Sequence, residues 1–122
     1  MEIRIKASDY EMTPETAAYL DEKIATLERL VHDSAARCEV EIGRAVGHSQ
    51  QGDVWKAEIV ITNFGERLYA VAQEESVNAA IDIAKDEMLQ QLRKDKGKHT
   101  SIARRLGARL KRWARRGDIR SY

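Results

Sequence analysis

The residues that build catalytic and metal sites are scarce in this 122-residue chain. There is one cysteine, Cys38, so no internal disulfide can form, and a reducing compartment is the simpler expectation. Its alternation with Val40 and Ile42 predicts a thiol packed in the core, not a reactive one. The three histidines, His32, His48 and His99, lie in separate segments without partners at metal-ligand spacing, which argues against a zinc site or a histidine-activated nucleophile. Glycine-rich phosphate loops are missing too. Gly43-Arg44-Ala45-Val46-Gly47 lacks the lysine and the hydroxyl residue that such a loop requires. No apolar run approaches a membrane-spanning length, and the opening MEIRIKASDYEMT has no apolar leader segment. The expectation is a cytoplasmic, non-enzymatic protein with no cofactor, no metal, no small-molecule substrate and no membrane attachment.

Charge is plentiful, and it is unevenly placed. Lys, Arg, Asp and Glu make up 34% of the residues and the net charge is only +1. Residues 1–75 carry 8 Lys+Arg against 15 Asp+Glu, a net of −7, whereas residues 76–122 carry 13 against 5, a net of +8. Within 93–122 the balance is 12 to 2. Charge segregated this sharply predicts a basic surface aimed at a polyanion, attached to a body that stays soluble. A solvated tail is the plainer alternative, but an arginine-rich run without compensating acid favours nucleic acid.

Hydrophobic periodicity gives the element order. Ile3, Ile5 and Ala7 alternate with Glu2, Arg4 and Lys6, which predicts a half-buried strand. Thr13-Pro14 reads as an N-cap with proline at the first helical position. Behind it Ala17, Leu20, Ile24, Leu27 and Val31 form one helical stripe. Alternation resumes over 37–47, then over 54–62 with Trp55, Ala57, Ile59 and Ile61 facing in, and over 67–74. The segment 47–53 has turn composition, and Asn63-Phe64-Gly65-Glu66 makes a tight connection. Ser76 caps a second helix with Val77, Ala80, Ile81, Ala84, Met88 and Leu92 as its stripe, ending or weakening at Gly97.

The order β-α-β-β-β-α implies an α+β domain. Its first two strands are parallel through a right-handed crossover, and the later strands form a meander. One four-stranded sheet with two helices packed on one face buries every apolar stripe. The domain is expected over 1–98. An Arg-rich amphipathic tail, a basic helical segment with Ile102, Leu106, Leu110 and Trp113 on one side, follows over 99–122.

The outward sheet residues predicted by alternation are Arg4, Lys6, Glu39, Glu41, Lys56, Glu58, Tyr69 and Val71. One tyrosine among mixed charges is a poor platform for stacking single-stranded bases. Arg4 and Lys6 instead read as ion-pair partners of Glu39 and Glu41 on the neighbouring strand. Asp82 and Asp86, on one helical face, read as solvated.

Phosphate binding is the better match. Arg93, Lys94, Lys96 and Lys98 continue the second helix, and Arg104, Arg105, Arg109, Lys111, Arg112, Arg115 and Arg116 crowd the tail. Arginine presents a planar fork to phosphate oxygens and stacks on unpaired bases. If about six to ten of these residues reach phosphates, affinity falls by roughly 10³ to 10⁵ between 50 and 200 mM salt.

The run from Gly65 to Lys98 resembles a known family. Leu68-Tyr69-Ala70-Val71-Ala72, Glu75-Ser76-Val77-Asn78-Ala79-Ala80-Ile81-Asp82 and Gln91-Leu92-Arg93-Lys94-Asp95-Lys96-Gly97-Lys98 are similar to the ribosome hibernation-promoting factor and ribosome-associated inhibitor family. Thr13-Pro14, Leu20, Lys23 and Ile24 through Leu27-Glu28-Arg29 agree with its first helix. The resemblance implies a double-stranded-RNA-binding-like fold and a partner, the small ribosomal subunit with its 16S-type rRNA and ribosomal proteins. It implies occlusion of the mRNA and tRNA sites near the decoding centre, inhibiting translation in dormancy or stress. By position, Lys23 joins Arg93, Lys94, Lys96 and Lys98 as RNA-facing residues. Arg4, Lys6, Arg44 and Lys56 form a weaker set that surface ion pairing explains equally well.

The departures from the family pattern are local. Asn78 stands where an aromatic is usual, and Glu87 and Gln90 replace a basic pair in the second helix. The length matches the short form, which lacks the extra dimerisation domain of long members, and a monomer is expected when free. Two alternatives remain: a structural or assembly RNA-binding protein of the ribosome that uses the basic tail, and an interaction module whose basic amphipathic helix docks on a membrane or partner groove.

Overall fold

The computed structural model describes residues 1–45 and 54–95. Within them run β1 (Glu2–Ser8), α1 (Pro14–Glu28), β2 (Arg37–Arg44), β3 (Trp55–Asn63), β4 (Glu66–Glu74) and a second helix, α2, over 77–95. The strands form one sheet in the order β1-β2-β3-β4. β1 pairs with β2 in parallel, as the intervening helix requires, and the other two pairings are antiparallel. The architecture is therefore α+β in the predicted order β-α-β-β-β-α. Residues Met1–Leu92 make one compact unit and Arg93–Tyr122 a second. The predicted tail over 99–122 lies outside the described residues.

Both helix starts follow from their caps. The Thr13 hydroxyl accepts from the Thr16 N–H at 3.2 Å with Pro14 next in line, and the Ser76 hydroxyl accepts from the Ala79 N–H at 3.1 Å. The buried face of α1 is Thr16, Leu20, Ile24 and Leu27. Ala17 sits at its margin, and Val31 lies beyond the helix end and still packs on the core. On α2 the stripe is as predicted, with Ala80, Ile81, Ala84, Met88 and Leu92 at most 1% exposed.

These faces meet Cys38, Val40, Ile42, Ala57, Ile59, Ile61, Leu68, Ala70 and Ala72 on one side of the sheet. Each fully buried Leu, Ile or Met adds about 1.5–3 kcal/mol relative to exposure, so this single layer dominates stability. β1 departs from expectation. Ile3 and Ile5 share the inner face, opposite Cys38 and Val40, yet remain 38% and 42% exposed. Among the described residues β1 is an edge strand with a neighbour on one flank only, and alternation cannot reveal that.

Three local devices lock the sheet. The β3–β4 hairpin turns through Phe64 (φ 51°) and Gly65 (φ 76°), the two successive positive φ angles of the two-residue turn that matches strand twist. Asp33 holds that turn from a distant loop: its carboxylate accepts from the Phe64 N–H at 2.8 Å and the Ala35 N–H at 2.9 Å. Those two hydrogen bonds hold the Asp33 carboxyl below its usual range. At the β1–β2 pairing a Cβ on Gly43 would lie 2.2 Å from the Ser8 carbonyl oxygen, so only glycine lets the strand ends approach. On β4, the Gln91 amide donates to the Tyr69 carbonyl at 2.6 Å and accepts from its N–H at 3.3 Å, covering the strand edge.

Candidate nucleic-acid interface

Strand register distributes the predicted cations over two opposite faces. Arg4, Lys6 and Lys56 lie on the open face of the sheet, with Arg4 opposite Glu39 and Lys6 opposite Glu41, as alternation predicts. The Arg4 guanidinium, however, pairs along its own strand with Glu2 at 2.9 Å. Lys56 likewise meets Glu58 at 3.6 Å. The Ser8 hydroxyl donates to Glu41 at 2.9 Å, and the Tyr69 hydroxyl hydrogen-bonds to Glu58, which raises the Tyr69 pKa.

A trough of about 450 Å³ crosses this face between Arg4, Lys6, Glu39, Glu41, Glu58 and Arg67. Its charges alternate in sign, so it offers a polyanion no continuous positive path. Two exposed arginines on this face, Arg37 and Arg67, were not among the predicted binding residues. The alternation that placed Glu39 and Tyr69 outward also applied to them.

Arg44 stands apart at the end of β2. Its guanidinium lies 5.0 Å from the centroid of the Trp55 ring, whose edge meets Tyr10 with centroids 5.0 Å apart. Tyr10 in turn donates to Thr16 at 3.2 Å. This chain of contacts ties the strand end to the start of α1.

Lys23 lies in the helical layer, on the side of the sheet away from Arg4, Lys6 and Lys56. Its ammonium sits 3.5 Å from an Asp82 carboxylate oxygen on α2 and 4.8 Å from the centroid of the Tyr19 ring one turn back. Hydrogen bonding to Asp82, then desolvation and the charges of Asp82, Glu22 and Asp86, push the Tyr19 pKa up to about 12. Lys85 pairs with Asp86 on the same helix. Both carboxylates stay open to solvent, Asp82 at 44% and Asp86 at 64% exposed, and Asp82 in addition meets Lys23 from another helix.

Arg93 and Lys94 are exposed where helix continues past Leu92. Lys96, Lys98, Arg104, Arg105, Arg109, Lys111, Arg112, Arg115 and Arg116 lie outside the described residues. The charge balance changes at the same place. Residues 1–95 carry 11 Lys+Arg and 19 Asp+Glu, and residues 96–122 carry 10 and 1. The net-positive stretch of the sequence therefore begins at the end of α2, and the body before it is net acidic.

Among the described residues no group of three or more His, Cys, Asp and Glu side chains is arranged to hold a metal ion, and no helix is long and apolar enough to cross a membrane. Cys38 is fully buried, and burial with the nearby charges of Glu28 and Glu39 pushes its thiol up to about 12, far from nucleophilic.

Comparison with known proteins agrees with the resemblance read from the sequence. Residues 3–100 match the family described as Sigma 54 modulation protein / S30EA ribosomal protein. The crystal structure of the Thermus thermophilus Protein Y N-terminal domain superposes with a TM-score of 0.64 at 25% identity, over 77% of this chain and 98% of that one. A ribosomal subunit interface protein from Coxiella burnetii shares the fold with a TM-score of 0.63 at 14% identity, over 80% of this chain and 99% of the other. A search of curated proteins returned no match.

Proposed function

The chain belongs to the Sigma 54 modulation protein / S30EA ribosomal protein family, and on that footing we propose that it is a ribosome hibernation factor. In this reading it binds the small ribosomal subunit near the decoding centre and occludes the mRNA and tRNA sites. It thereby inhibits translation in dormancy or stress, in the cytoplasm. The observation that carries the proposal is the family match over residues 3–100, nearly the whole folded body.

Physical features support it. The basic residues from Arg93 onward are concentrated in sequence and set against an acidic body, which suits insertion into an RNA-lined cleft. The mixed open face of the sheet and its single tyrosine argue against base-by-base reading of a single strand. RNA would be recognised by shape and phosphate, with Lys23, Arg93, Lys94, Lys96 and Lys98 facing it and the arginines of the tail adding contacts. The action needs no bond made or broken, because occupancy of the cleft excludes the ligands that use it.

The test is co-sedimentation with vacant ribosomes, with ribosomes already loaded with mRNA and initiator tRNA, and with a chain ending at Lys98. Binding to vacant particles that is lost on loaded ones is the expected result, and the truncation reports what the tail adds. Equal binding to both would exclude occlusion. It would favour the second reading, a structural or assembly protein of the ribosome, to which the Arg-rich segment outside the family match lends weight.

A further inference from the structure

Lys23 and Tyr19 of α1 lie beside one carboxylate of α2. The Lys23 ammonium is 3.5 Å from Asp82 Oδ1, and the same carboxylate raises the Tyr19 pKa. The aromatic ring of Tyr19 also holds the ammonium from below, 4.8 Å from its centroid. The arrangement is reachable from solvent, since the Lys23 side chain is 23% exposed and that of Asp82 44%. An ammonium seated on an aromatic ring and aimed at an anionic oxygen is an arrangement that binds a phosphate oxygen. Here the chain's own carboxylate fills the position.

We propose that Asp82 occupies, in cis, a phosphate subsite formed by Lys23 and Tyr19, and so limits the affinity of the helical layer for RNA. The proposal deepens the reading given above and rests on RNA being the partner. The consequence is competition. A backbone phosphate reaching Lys23 must displace Asp82 or share the ammonium with it, against the repulsion of a second negative charge. Neighbouring acids on this face, Glu22 and Asp86, add to that repulsion. Lys23 thus contributes less than a free lysine, and more of the attraction is left to the basic residues from Arg93 onward. Asp82 acts through Lys23 and Tyr19; it is a positioning and affinity-limiting residue that does not itself touch RNA.

The test is a double-mutant cycle on Lys23→Gln and Asp82→Asn, measured as binding to vacant small ribosomal subunits from 50 to 200 mM salt. Asparagine keeps the size of the side chain and removes the charge. Asp82→Asn is expected to tighten binding about two- to fivefold at 50 mM salt, the scale of one exposed ion pair released. It should also steepen the salt dependence by about one neutralised phosphate, and both effects should vanish in the Lys23→Gln background. Tyr19→Leu, which removes the ring beneath the ammonium, is expected to weaken binding in the Asp82→Asn background.

Unchanged or weaker binding by Asp82→Asn, or a gain that persists without Lys23, would overturn the proposal. If Asp82→Asn does not fold, the readout passes to Asp82→Ser, which also removes the charge, and unaltered affinity there overturns it. The failure of the broader reading looks different. If the unsubstituted chain does not bind the subunit, ribosome association itself is wrong. If it binds and residues 23 and 82 show no coupling, only the subsite is wrong.

Discussion

Cys38 makes the packing of the sheet measurable by chemistry. It sits in β2, an interior strand, opposite Ile3 on one side and Ile61 on the other, and is 0% exposed. Burial, with the charges of Glu28 and Glu39, moves its pKa from 9.0 to about 12. Three decades of pKa leave the thiolate fraction about a thousandfold below that of a free thiol at pH 8, and the thiolate is the nucleophile. A disulfide reagent also cannot reach the sulfur until the strand opens. β2 is hydrogen-bonded on both flanks, so its opening is close to global unfolding, a state populated at about 10⁻⁴ for a domain stable by about 5 kcal/mol.

Labelling with an aromatic disulfide at pH 8 should therefore be complete within seconds in denaturant. In native buffer it should be slower by orders of magnitude, accelerating with urea in parallel with the decline of circular dichroism.

The same pKa sets a pH dependence. The folded value lies above the unfolded one, so the stabilisation from the neutral buried thiol is fully present below about pH 9. It is lost as pH rises from 9 towards 12, at up to about 1.4 kcal/mol per pH unit. Tyr19, also raised to about 12, joins only above its ordinary value of 10.0. Between pH 9 and 10 the stability of the parent chain should fall more steeply than that of Cys38→Ala, which has no thiol to ionise. Rapid stoichiometric labelling without denaturant, or identical slopes for the two chains, would refute the placement of Cys38 in the core.

Gly43→Ala should destabilise by about 1–3 kcal/mol in urea titration, because the new Cβ meets the Ser8 carbonyl oxygen and the strand ends must part. A neutral result would mean that β1 does not approach β2 there. Phe64→Asn should raise stability by about 0.5–1 kcal/mol in thermal melts, since Phe64 is held at φ 51° and asparagine tolerates that region. Replacing Arg93, Lys94, Lys96 and Lys98 together by glutamate should weaken binding to the small subunit. It should also flatten the salt dependence by about one for each phosphate no longer neutralised. Unaltered binding would remove these residues from the interface.

The element order was legible because its signals are local. A period of two marks β2, β3 and β4, and the stripe from Val77 to Leu92 marks α2 because helical geometry brings those positions to one side. Thr13-Pro14 and Ser76 announce helix starts through unsatisfied N–H groups that any helix must cover. The parallel pairing of β1 with β2 followed from a connection long enough to hold a helix. The concentration of positive charge from Arg93 onward was legible for the same reason, being a property of the chain before it folds.

What the sequence by itself determined, then, is which residues turn inward, where helices begin, and where positive charge collects. Which distant groups meet was decided only by the tertiary structure. Alternation placed Ile3 and Ile5 inward, but strand order put them on an edge, where they stay exposed. Asp33 reaches the Phe64 turn 31 residues away, and Asp82 meets Lys23 and Tyr19 from another helix. A backbone repeat fixes the direction of a side chain relative to its own element and carries no information about the partner. The partner is set by register and by how the helices settle on the sheet.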